Sequence, residues 1–145
     1  LITTLIAQGV ADPASIYLAG RFNGGAMVLR MACARPDLVS AIAVVAMNAP
    51  SKPHCDMPQP MPTIFIHGTD DPIVPPAGLT AKGRIGGIAS VTQTLTRCST
   101  RNRCTGPFPP RVFNQTGGTT TATFTRYANC AKPLLHISNK SSEAF

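Results

Sequence analysis

Tryptophan is absent from this 145-residue chain, and tyrosine occurs only twice. Aromatic residues make up 6% of the sequence, and none interleave with the basic side chains as a stacking platform for single-stranded nucleic acid requires. No apolar run approaches the roughly 20 residues that a membrane-spanning helix needs. The opening "LITTLIAQGV" has no basic n-region and does not read as a secretory signal. Neither a CxxC pair nor a Cys/His spacing suited to zinc occurs, so no metal site is expected. Acidic side chains are scarce, six against 13 Lys and Arg. What is present is 43% hydrophobic residues with 13% charged, the balance of a folded chain. Its length suits one domain with its own core.

The charge is uneven. Residues 1–71 carry four basic and five acidic groups, whereas residues 72–145 carry nine basic groups and only Glu143. A half with such an excess attracts polyanions in principle. These Lys and Arg are scattered rather than clustered and no nucleic-acid motif accompanies them, so a solvated basic face is the expected reading. The five cysteines are Cys33, Cys55, Cys98, Cys104 and Cys130, an odd count that leaves at least one thiol unpaired. Cys33 lies on an apparent helix face and reads as a small buried apolar group.

Apolar residues at 1, 2, 5, 6 and 10 have helical spacing. "IYLA" (16–19) is a short apolar run bounded by turn residues, hence a strand, and "GGAMVLRMACARP" is a helix that stops before Pro36. "LVSAIAVVAM" (38–47) and "TIFIHG" (63–68) are continuously apolar, as strands covered on both faces are. Residues 88–101 read as an amphipathic helix, and "TATFTRY" (121–127) and "PLLHI" (133–137) as two further strands. Helices alternating with buried strands predict an α/β fold with a mostly parallel sheet flanked by helices, in a single domain over 1–145. Chemistry in such sheets gathers beyond the C-terminal ends of the strands. Two stretches fall there, the turn at 20–25 and the loop at 68–76.

The turn lies in "YLAGRFNGGAM". Strand, glycine-rich turn and helix, with Gly20 and Gly24 framing Phe22, make the frame of a G-x-S-x-G nucleophile elbow whose serine is replaced. Phosphate-loop alternatives fail, because position 22 is not glycine and no G-K-[ST] follows. In "HGTDDPIVP", Asp71 stands just beyond the sheet edge, where a carboxylate orients the imidazole of a triad; equally, Asp70 or Asp71 forms an Asx-turn ahead of Pro72.

Four blocks, "DPASIYLAGRFNGGAMVLRMACARPDL", "PTIFIHGTDDPIVP", "SVTQTLTRCSTRNRC" and "RYANC", together resemble the secreted polyhydroxybutyrate depolymerase and feruloyl esterase group. These are serine esterases of the α/β-hydrolase fold, and the blocks run in collinear order over residues 1 to 137. The resemblance implies that Phe22 occupies the nucleophile position, that Asp71 is the triad acid and that Asn23 supplies an oxyanion backbone N–H. It implies a C-terminal part of that fold, without the strands before Leu1 and without the histidine segment. It implies no cofactor and no metal, an extracellular location, and in intact relatives a polyester or feruloylated polysaccharide as substrate. It also implies a disulfide between Cys104 and Cys130.

Phe22 has no hydroxyl with which to attack a carbonyl. His54, His67 and His136 read as structural, and His136 lies within a strand, short of the loop where the family histidine stands. Arg21, Cys98 and Arg103 replace an apolar residue, Trp and Gly of the family. The expectation is therefore an esterase fragment without activity of its own, a decayed or repurposed reading frame. The alternative is a non-catalytic protein that binds a polymer or polyanion. Strands near 16–19, 41–47, 63–67 and 134–137 are expected side by side and parallel. The first is then an exposed edge through which copies self-associate.

Overall fold

The computed structural model describes residues 1–52, 59–80, 86–114 and 118–140. A short helix α1 (Ile2–Ala7) precedes strand β1 (Tyr17–Arg21) and helix α2 (Asn23–Ala34). A 3-10 turn at Pro36–Leu38 leads to β2 (Ala41–Val45), followed by β3 (Thr63–Gly68) and helix α3 (Val91–Arg101). Then come β4 (Gly106–Pro107), β5 (Arg111–Asn114), β6 (Thr121–Ala128) and β7 (Leu134–Lys140). Ser90 starts α3 with a capping box, its hydroxyl accepting from Gln93 N while the Gln93 side chain accepts from Ser90 N.

The sheet runs β1-β2-β3-β7-β6-β4, with β5 also on β6. The first four strands are parallel and in the expected order, and β1 ends it with an open edge. β6 pairs antiparallel with β7, as β4 and β5 do with β6, so the sheet is mixed. β4 and β5 have no counterpart among the expected strands. His54 and Cys55 lie outside the described residues.

One face of the sheet holds the core. Ile42, Val44, Phe65 and Leu134 point to that side and are at most 3% exposed. α2 covers it with Val28, Leu29 and Ala32, and α3 with Leu95. The opposite face departs from the expectation that β2 and β3 are covered twice. Residues on that side of β2 are only half-buried, and Ile64 on β3 is 41% exposed. Among the described residues both long helices pack against the same face.

The Cys104–Cys130 disulfide is present. With a sequence separation of 26, it stabilises the fold by about 3.5 kcal/mol in the chain-entropy account. Cys98 is a buried free thiol, whose burial pushes its pKa up. Cys33 is disulfide-bonded and half-buried, which corrects its reading as an inert apolar filler. A helix-face position does not reveal whether a second cysteine approaches it in space. Arg103 stands where the esterases resembled have glycine, and its φ of 56° is the left-handed conformation that glycine adopts without strain.

Candidate functional site at the C-terminal edge of the sheet

β1 turns into α2 at a single residue. Phe22 has φ 49° and ψ −120°, a combination outside the regions open to residues with a Cβ, costing on the order of 1–3 kcal/mol. Its N–H donates to Val45 O and its carbonyl accepts from Ala26 N, so the turn is tied to both β2 and α2. Gly20 makes the turn possible, because a Cβ there would stand 2.3 Å from Gly24 C and O. Gly25 is the second tight position, with Met47 Cβ at 2.9 Å from where its own Cβ would be, whereas a Cβ on Gly24 meets nothing within 4 Å. The required glycines are therefore Gly20 and Gly25.

The Phe22 ring packs against the core, and the Arg21 guanidinium lies 4.4 Å from its centroid. An aromatic ring thus lies at the mouth of the turn. Asn23 opens α2 with no side-chain cap ahead of it, so its N–H is one of the helix-start donors without an intrahelical partner. These donors and the helix dipole favour an oxyanion at this point.

The acid loop leaves β3 two strand spacings away, about 10 Å across the sheet. Asp71 Oδ1 accepts from Ile73 N and Val74 N, both at 2.9 Å, which is the Asx-turn arrangement. Its Oδ2 accepts no bond from any described residue. His67 is 2% exposed, stacks on Phe65, and its Nε2 donates to Val74 O at 2.8 Å. It therefore fastens the loop to β3, and its Nδ1 is buried without a partner. Asp71 and His67 are thus both used to shape the loop.

His136 sits mid-strand on β7, in register with Phe65 and with its Nε2 buried and unpartnered. Burial, and secondarily His67, holds its pKa below the ordinary 6.5. The folded form disfavours the proton, so the stability His136 contributes is complete above its unfolded pKa, near 6.5. It is lost as pH falls through that value toward the folded pKa. Urea midpoints are expected to drop between pH 7.5 and 5.5, and His136→Gln is expected to flatten part of that drop.

Asn48 went unnoticed in the sequence. It lies just past the C-terminal end of β2, between the elbow and the acid loop, at 2% exposure and with neither amide atom partnered. A polar residue closing an apolar strand at the sheet edge where ligands bind is the signal that marks it. The basic half provides less free charge than its composition suggests. Arg97 donates to the Pro50 and Ser51 carbonyls, and the half-buried Arg101 donates to Met61 O and Thr63 Oγ1. Among the described residues no group of three or more candidate metal ligands comes together, and no helix is long and apolar enough to cross a membrane.

No family model matches this chain. Similarity exists to a protein of Nocardia uniformis subsp. tsuyamanensis named "Putative esterase NocK", 36% identical over 80 residues. Those residues are 54% of this chain and 23% of that protein, so the chain spans less than a quarter of the relative it matches.

Proposed function

We propose that this chain is the elbow-and-acid-loop part of a serine carboxylic-ester hydrolase of the α/β-hydrolase fold, and that it is inert by itself. The observation that carries the reading is Phe22, held at φ 49° and ψ −120° between a parallel strand and a helix N-terminus. That is the strained presentation a nucleophilic serine requires, kept at a residue that cannot use it. The parallel order of β1, β2, β3 and β7 and the likeness to a protein named as an esterase support it. The finer assignment, to the polyhydroxybutyrate depolymerase and feruloyl esterase type, rests on the sequence blocks. Intact relatives would then cleave polyester or feruloylated polysaccharide esters outside the cell, where disulfides persist.

In a serine-bearing relative the hydroxyl would attack the ester carbonyl, the oxyanion would meet the N–H that corresponds to Asn23, and the carboxylate that corresponds to Asp71 would orient a histidine. Here attack has no nucleophile. The placing of His67 and His136 within the β3 and β7 packing speaks against either as a base. The alternative of polyanion binding is weakened because Arg97 and Arg101 serve backbone carbonyls.

The test has two arms. No turnover of short p-nitrophenyl esters is expected from the native chain, from Phe22→Ser or from Phe22→Ala; turnover by Phe22→Ser above Phe22→Ala would overturn the claim of an inert site. The second arm reads the elbow itself. The thiol introduced by Phe22→Cys, at a helix N-terminus beside free N–H donors, should titrate below the usual value of about 8.5 and alkylate fast with iodoacetamide. An ordinary titration there would remove the elbow reading.

A further inference from the structure

One side of α3 carries a row of hydroxyls. Thr92, Thr96, Ser99 and Thr100 recur at the spacing of a single helix face. With Pro107 of β4 and Tyr127 of β6 they line a hollow of about 360 Å³. β4 is held to β6 by its ladder and, just before it, by the Cys104–Cys130 disulfide, so this wall is fixed before any ligand arrives. The hollow lies at the far edge of the sheet from Phe22 and Asp71. Tyr127 follows Arg126, which is in register with Leu135 at the start of β7, so the hollow opens beside the N-terminal ends of the parallel strands.

The lining selects the ligand. No charged residue borders the hollow, although residues 72–145 carry nine basic groups and one acidic. An anion would find no cationic side chain there, and an ammonium no carboxylate. The Thr92, Ser99, Thr100 and Tyr127 hydroxyls bond to no described residue, and only Thr96 spends its proton, on Thr92 O at 2.9 Å. A free hydroxyl both donates and accepts, which suits a ligand whose own groups do both. A purely apolar guest would strip water from these hydroxyls and return no bond. Leu95, Pro107 and the Tyr127 ring nevertheless give the hollow apolar surface, as in most small-molecule sites. A sugar ring meets both demands, with hydroxyls at its rim and C–H groups on its faces.

Length sets the size. Thr92 and Thr100 stand eight residues and so about 12 Å apart along α3, longer than one sugar ring and suited to two joined end to end. We propose that this groove holds a neutral disaccharide unit, hydrogen-bonded by the hydroxyl row of α3 and resting a C–H face on Tyr127 and Pro107. It is a holding site remote from the elbow, and the proposal stands independently of the esterase reading.

The test titrates the isotope-labelled full chain with xylobiose and, separately, with cellobiose, and follows backbone amide shifts by nuclear magnetic resonance. At least one of the two should give saturable shifts centred on Thr96, Thr100, Gly106 and Tyr127, with the amides of Phe22 and Asp71 unmoved. Digalacturonic acid, which adds charge, and hexanol, which lacks the hydroxyl rim, should each bind at least about tenfold more weakly. Thr92→Val with Thr100→Val keeps the side-chain shape at two exposed positions and should weaken the disaccharide about tenfold with the urea midpoint unchanged. Tyr127→Phe, which keeps the ring, should weaken it by less. Absence of saturable shifts from both disaccharides up to their solubility overturns the proposal. So does equal or tighter binding of digalacturonic acid or hexanol, or an unchanged affinity in the double valine variant.

Discussion

Gly20→Ala should leave too little stability for the chain to fold, while Gly24→Ala should strengthen it slightly. A Cβ at position 20 would sit 2.3 Å from Gly24 C and O and 2.8 Å from Gly25 N. These are backbone atoms, so no rotamer change relieves the clash, and the first turn of α2 must lift away from β1. That helix brings Val28, Leu29 and Ala32 to the core. Overpacking alone costs about 1–3 kcal/mol, and separating a helix from its sheet raises the loss above about 3 kcal/mol, a large share of a domain's 5–15. Position 24 is different, because a Cβ there meets nothing within 4 Å. Alanine in a helix is better than glycine by about 0.5–1 kcal/mol. Urea unfolding followed by circular dichroism should therefore move in opposite directions for the two glycines that frame Phe22. Equal shifts would mean that the turn lacks the close approach described.

The order β1-β2-β3-β7 was legible because each strand is a short apolar run between breakers, and parallel neighbours follow from the alternation with helices. The positions of Phe22 and Asp71 just beyond strand ends were legible for the same reason. β4 and β5 were not. "GPFPPRVFN" contains Pro107, Pro109 and Pro110, which argue against a ladder. Every residue of β5 is exposed, so no alternation shows. Glycine's steric role was also hidden. Gly24 and Gly25 are adjacent and identical in composition, and only the packing of α2 against Met47 distinguishes them. Nor could the sequence say on which face the helices of this segment pack, since an apolar strand looks the same in either case.

Asn102→Ala should cost about 3–5 kcal/mol, as much as a large core truncation. Asn102 has no solvent exposure and every hydrogen-bonding group it has is engaged. Oδ1 accepts from Met61 N at 2.9 Å and from Arg101 Nε at 3.1 Å, and Nδ2 donates to Met61 O at 2.8 Å and to Lys132 O at 3.0 Å. Its backbone closes α3 by donating to Cys98 O and accepts from Ala131 N. One side chain thus joins the end of α3 to the entries of β3 and β7, next to the Cys104–Cys130 disulfide. Truncation leaves the Met61 N–H buried without this partner, at about 1–3 kcal/mol, removes a donor from the Met61 and Lys132 carbonyls, and opens a small cavity beside them. Hydrogen exchange separates this outcome from simple helix fraying. Amides across the β3–β7 ladder should lose protection together, and with them the Val74 and Ile73 amides that Asp71 holds beyond the end of β3. Loss confined to α3 would show that Asn102 is only a cap. Loss spreading to the acid loop would show that the geometry of the candidate site is set from the opposite end of the sheet, by an asparagine that carries no signal in the sequence.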